Sequence, residues 1–181
     1  MMQGVCSLAA VAMLVSSAAM AQGDPLRAQV KRGEYLVTIG SCHDCHTPLM
    51  LGPNGPEPDM KRALSGHPQD IAVQPPAKPS GPWMGAYSST LTAWSGPWGV
   101  SFTANLTPDD ETGVLRDFTE QQFVQALRTG RHQDQGWPIL PPMPWQFIGQ
   151  MSDDDLKSVF AYLRQIPAVR NKVPDPIPPG P

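Results

Sequence analysis

Cys42-His43-Asp44-Cys45-His46 constrains this chain more than any other stretch. Two thiols separated by two residues lie on the same side of a tight turn. There each can form a thioether with one vinyl group of a porphyrin, and the histidine directly after the second cysteine falls under the iron. C-x-x-C-H is accordingly the attachment signature of c-type haem, with Cys42 and Cys45 as attachment points and His46 as proximal ligand. The residues between the cysteines face away, so His43 is not expected to ligate the same iron. Two other chemistries use C-x-x-C. A zinc site needs a second ligand pair, and no cysteine follows Cys45. A thioredoxin-like dithiol sits after a strand in a βαβ pattern, which is absent here.

The N-terminus points to export. Met1 to Ala21 carries no charged side chain, holds an apolar run from Val5 to Val15, and closes on Ala19-Met20-Ala21, an A-x-A cleavage signal. Residues 1–21 are therefore expected to be a signal peptide, although the usual basic residues are missing. The run is short for a membrane span, so membrane association is expected only if this segment is retained as an anchor. Cys6 would leave with the peptide. The two remaining cysteines are those of the haem motif, which leaves one covalent haem and no disulfide framework.

Proline (22) and glycine (16) are abundant for a compact helical protein, and they concentrate between Pro48 and Pro97 and after Pro174. The net charge of -3 comes with no basic run, which argues against nucleic acid as a partner.

Three helices are expected. The first runs from about Leu26 to Gly40, with Val30, Tyr35, Leu36 and Ile39 on one face and Gly33 as a flat spot for close helix approach. The second runs from Thr119 to Thr129. Thr119 and Gln122 form a capping box, Phe118 and Phe123 a hydrophobic staple, and Gly130 a left-handed terminator. In the third, Ser152 caps, Asp155 completes the box, Met151 and Leu156 staple, and Leu156, Val159, Phe160 and Leu163 make the apolar stripe.

Between Leu49 and Ser101 neither a helical nor a strand period survives the repeated Pro-Gly breakers. Trp83, Tyr87, Trp94, Trp98 and Phe102 nevertheless make disorder a poor reading. The segment, about residues 49–101, is expected to be an ordered, irregular insertion packed on the haem or the helices. Residues 171–181 form a Pro-rich tail, in which Pro174–Pro179 reads as extended, frayed polyproline. The expected fold class is all-α: a helical domain over residues 22–170, wrapped around one covalent haem.

The sixth iron ligand decides the function. An open site binds gases or peroxide, whereas a methionine closes it and raises the potential. Met143, in Leu140-Pro141-Pro142-Met143-Pro144-Trp145, is held in an extended form by proline on both sides. It lies between the second and third helices, where a strap can cross the ring. Met50, Met60, Met84, His67 and His132 are its rivals, and Met151 is taken by the staple.

Gly33-Glu34-Tyr35-Leu36 leading into Cys42–Pro48 resembles the opening of class I cytochromes c. Asn105-Leu106-Thr107-Pro108-Asp109, Thr112-Gly113, Phe123 through Gly130, Pro141–Trp145 and Leu156–Leu163 are similar to one branch. That branch comprises the cytochrome c subunits and domains of periplasmic sugar and alcohol dehydrogenases. The resemblance covers about Arg27 to Arg170, apart from the insertion. It implies crossed first and last helices, His46 and Met143 as axial ligands, and single-electron transfer without catalysis. It further implies haem attachment outside the cytoplasmic membrane, in the periplasm, and a Pro48 carbonyl that accepts the His46 Nδ1 hydrogen bond. Such subunits often carry three haems, whereas this chain has one C-x-x-C-H. A stand-alone monohaem carrier between a dehydrogenase and a respiratory acceptor is therefore favoured. The competing classes are a haem enzyme or gas binder with an open sixth site, and a docking subunit of a dehydrogenase complex.

Overall fold

The computed structural model describes residues 24–74, 82–132 and 136–180, so the expected signal peptide and Cys6 lie outside the described residues. Helix α1 (Pro25–Ile39) starts where Asp24 accepts the Leu26 N–H and Pro25 presets the first turn. Helix α2 (Cys42–His46) follows directly, after Ser41 reverses the chain at φ 55°. Helix α3 (Glu120–Thr129) has the complete capping box, with the Gln122 N–H on Thr119 Oγ1 and the Thr119 N–H on Gln122 Oε1, and ends at Gly130 with φ 67°. A one-turn α4 (Trp145–Ile148) precedes α5 (Asp153–Leu163), which Ser152 caps through the Asp155 N–H.

One detail of the α5 cap differs from expectation. The Asp155 carboxylate does not return to the Ser152 backbone but pairs with Arg32 of α1 at 2.9 Å. A charge-assisted bond between two helices outcompetes the local one.

α1 and α5 cross as the main helical pair, with α3 packed on α5 and α4. Gly33 permits the crossing, because a Cβ there would fall on the Ser158 carbonyl. The core gathers Leu36 and Val37 of α1, Phe123 and Leu127 of α3, and Leu156, Val159 and Leu163 of α5, joined by Leu64 and Leu115. Burying each large side chain contributes about 1.5–3 kcal/mol. Phe160 lies at the edge of this core, its ring 5.3 Å from that of Phe123.

The expectation of an all-α chain is overturned, because the described residues include five strands in two antiparallel sheets. β1 (Leu49–Gly52) pairs with β2 (Gly55–Pro58). β3 (Ala86–Tyr87), β4 (Ala93–Gly96) and β5 (Gly99–Phe102) form a three-stranded sheet in that order. The supposed breakers are the hairpin turns. Gly52-Pro53-Asn54-Gly55 and Gly96-Pro97-Trp98-Gly99 have the same Gly-Pro-x-Gly form, and in each the second glycine takes a positive φ, 117° at Gly55 and 93° at Gly99. Proline presets the first turn residue, and glycine supplies the left-handed exit. Strands of two to four residues are too short to display a period of two. Trp94 and Trp98 are partly buried in this region, whereas Trp83 and Tyr87 are exposed rather than packed.

The tail is not frayed. Asn171 is buried, and Ile177 exchanges both backbone hydrogen bonds with Val100, at 2.8 and 2.9 Å. Proline removes donors from this strap, but Asn171 and Ile177 keep theirs and bind through them.

Candidate functional site

Helix α2 places Cys42 and Cys45 one turn apart, hence on one side, as free thiols. Burial pushes the Cys42 thiol up to about 11, and burial also raises Cys45. A redox-active or metal-binding C-x-x-C requires the opposite, a readily formed thiolate. Among the described residues, moreover, no group of three or more His, Cys, Asp or Glu side chains converges. His43 points away from this arrangement, with Nδ1 on Thr47 Oγ1 at 2.8 Å.

His46 closes the helix and is buried. Its Nδ1 lies 2.9 Å from the Ala104 carbonyl oxygen, which can only accept, so the proton resides on Nδ1 and the Nε2 lone pair is left free. That is the tautomer of a metal-ligating histidine. The acceptor is not Pro48, whose carbonyl takes the Asp59 N–H at 2.9 Å instead. Pro48 leads straight into the β1–β2 hairpin, and the chain beyond β5 returns to place Ala104 against the ring.

Met143 sits in a turn rather than in an extended strap, its N–H donating to the Leu140 carbonyl at 3.3 Å. Ser101 Oγ of β5 donates to the Pro141 carbonyl at 2.5 Å, which ties this turn to the sheet. On the other side Trp145 fills the space beside Gly130, where a Cβ would lie 2.5 Å from the indole Cζ2. Met143 and Cys42 are both half-buried against the same helical core. Met50, Met60 and Met84 are exposed. His67 is wholly buried with both ring nitrogens engaged, Nδ1 on Thr92 Oγ1 and Nε2 on the Ile71 carbonyl, each at 2.9 Å. His132 stacks edge-on against Phe118.

No protein-family model matches the chain. It is 32% identical over 180 residues to the cytochrome c subunit of a quinone alcohol dehydrogenase from Gluconobacter oxydans, covering 97% of this chain and 30% of that protein. It is 29% identical over 155 residues to the gluconate 2-dehydrogenase cytochrome c subunit of Pantoea cypripedii, covering 86% and 27%. The fructose dehydrogenase cytochrome subunit of Gluconobacter japonicus is 28% identical over 137 residues, covering 76% and 21%. The chain is a relative of dehydrogenase cytochrome c subunits. It spans 30% or less of the length of these three relatives.

In this cytochrome c relative, one further atom bears on whether a haem fits. Trp94 Nε1 is the single buried side-chain nitrogen or oxygen without a hydrogen-bond partner among the described residues. Trp94 stands directly opposite Ser101 across β4 and β5, so both project from one face. Ser101 reaches the turn that carries Met143, and the orphaned indole N–H is therefore on the sheet face toward that turn. A buried donor left unpaired costs about 1–3 kcal/mol, and a carboxylate-bearing cofactor would relieve it. Paired thiols, a free Nε2, a thioether on the same helical core and an unmet N–H all suit haem c.

Ala104, Gly66 and Asn171 carry no signal in the sequence that marks them as site residues. Asn105–Asp109 is part of the family resemblance, but nothing in it announces that the carbonyl just before it orients His46.

Proposed function

We propose that this chain is a monohaem c-type cytochrome that carries single electrons from a dehydrogenase to a respiratory acceptor in the periplasm. The observation that carries the reading is the His46 ring, with Nδ1 on the Ala104 carbonyl and Nε2 free, immediately after a half-buried Cys42/Cys45 pair. Bound haem supplies one-electron chemistry at its iron, and ligation by His46 and Met143 favours a closed centre of raised potential.

The residues of the chain divide the remaining work. Cys42 and Cys45 hold the ring covalently. His46 is kept in orientation by the proton it donates from Nδ1 to Ala104. Met143 offers its thioether from a turn fastened by Ser101, and the helical core against which it packs keeps water off the site. The relatives' names support a dehydrogenase as the electron donor. Each of those relatives is a subunit, so this chain is proposed to dock on such an enzyme without itself being catalytic.

The test is direct. Exported protein run on a denaturing gel should carry haem with the polypeptide, and its mass excess should equal one haem. Cys42→Ala with Cys45→Ala should abolish both signals. A wild-type mass excess of zero or two haems would remove the reading.

A further inference from the structure

We propose that Asn171, on the C-terminal strap, is a positioning residue for His46, because its amide clamps the two carbonyls flanking Gly66 and thereby sets the Ala104 carbonyl against the imidazole. This deepens the haem reading above and rests on it.

Gly66 meets His46 in two ways. Its N–H donates to the His46 carbonyl at 2.8 Å. Its bare Cα lies against residues 103 and 104, and a Cβ would stand 2.6 Å from the Ala104 carbonyl carbon and oxygen. Glycine is required there on both counts, since φ is +77°. The His67 N–H donates to the Thr103 carbonyl at 3.0 Å and the Leu106 N–H to the Leu64 carbonyl at 2.9 Å. Segments 64–67 and 103–106 therefore move as one, and the Ala104 oxygen that accepts from His46 Nδ1 moves with them.

Among the described residues, nothing local holds the carbonyls of Ser65 and His67. Asn171 does, from more than a hundred residues away, donating from Nδ2 at 2.7 and 2.8 Å and accepting the Gln69 N–H on Oδ1 at 2.9 Å. All the hydrogen bonds are buried or nearly so, and Asn171 is itself only 6% exposed. The clamp is reciprocal. Asn105, the neighbour of Ala104, donates from Nδ2 to the Val169 carbonyl at 2.8 Å, while its Oδ1 accepts the Thr107 N–H at 3.0 Å. Two asparagines thus lock the strap to the two segments that cradle His46. Loss of the Asn171 donors leaves two interior carbonyls unpaired and lets the Gly66 segment relax toward solvent.

The chemical consequence has a sign. Donation from Nδ1–H makes the imidazole a stronger donor to iron and stabilises the ferric state. A looser Ala104 carbonyl weakens that donation, so the reduction potential should rise.

The experiment compares haem-loaded wild type with Asn171→Ala, Asn171→Asp and Lys172→Ala in the full chain. Lys172 is exposed and meets Gln69 through its backbone N–H, so Lys172→Ala controls for perturbing the strap. Two quantities are read: the reduction potential, and solvent exchange of the His46 Nδ1 proton by paramagnetic NMR of the ferric protein. Both Asn171 variants should show a raised potential and exchange faster by about fivefold or more, the equivalent of one typical buried hydrogen bond. Lys172→Ala should show neither. If Asn171→Ala does not fold, Asn171→Asp carries the test, because it keeps the side-chain size and the acceptor for Gln69. A folded Asn171 variant with a lower melting temperature but unchanged potential and exchange would overturn the proposal while leaving the haem reading intact. A wild-type chain that attaches no haem would take both down.

Discussion

Gly33 of α1 rests on the backbone of Ser158 in α5, so closely that a Cβ would coincide with the Ser158 carbonyl and stand 2.6 Å from its carbon and 2.7 Å from Tyr162 Cβ. The helix crossing is set by this one absence of a side chain. Alanine is favoured over glycine in a helix interior by about 1 kcal/mol, which alone would make Gly33→Ala stabilising. Overpacking against backbone costs about 1–3 kcal/mol and has no flexible group to absorb it. Chemical denaturation should therefore show Gly33→Ala as a net loss, and a gain would mean that the helices can separate at no cost.

Met143→Ala separates the carrier reading from an open-site haem protein. Its thioether is a soft ligand that favours ferrous iron. The variant should keep its covalent haem, lose the weak near-infrared sulfur-to-iron band of the ferric state, fall in reduction potential and begin to bind carbon monoxide. Met50→Ala, Met60→Ala and Met84→Ala remove exposed side chains and should leave the optical spectrum unchanged. A wild type lacking that band would leave the sixth position to another group.

Burial holds the His67 imidazole below its ordinary value of 6.5. The unfolded chain therefore takes up a proton that the folded chain refuses as the pH falls below that value. The stability His67 supports is full above about pH 6.5 and declines progressively toward its lower folded value. His67→Gln, neutral and still able to donate and accept, should flatten the fall in urea midpoint between about pH 7 and pH 5. An unchanged slope would show that other groups set the acid limb.

The α5 stripe is not uniform. Leu156 is fully enclosed, whereas Phe160 stands at the core edge beside Phe123. Leu156→Ala should cost about 2–5 kcal/mol by denaturant titration. Phe160→Ala, although a larger deletion, should cost less than the roughly 3–5 kcal/mol of a fully buried phenylalanine. Equal or reversed losses would place the centre of the core elsewhere.

Much of the helical frame could be read directly. Thr119, Gln122 and Gly130 act within a few residues of one another, and local geometry alone satisfies the bonds they make. The sheets are hidden in the sequence, because Gly-Pro-x-Gly has the same form as a breaker and as a hairpin turn, and only the pairing of its flanks distinguishes the two. Asp155 illustrates the same limit at one residue: Ser152 made it look like half of a capping box, and Arg32, far away in sequence, claimed it.

What the sequence by itself determined is what depends on spacing along the chain: the paired thiols, the adjacent histidine, the helix caps, and Met143 singled out between prolines. Tertiary structure decided the partners whose geometry depends on chain return. Ala104 rather than Pro48 accepts the His46 hydrogen bond, and Asn171 rather than any neighbour secures Gly66. The physical reason is common to both. A buried carbonyl carries no side-chain signature, and which one faces a given N–H is settled only when distant segments are brought together and every interior donor must find an acceptor.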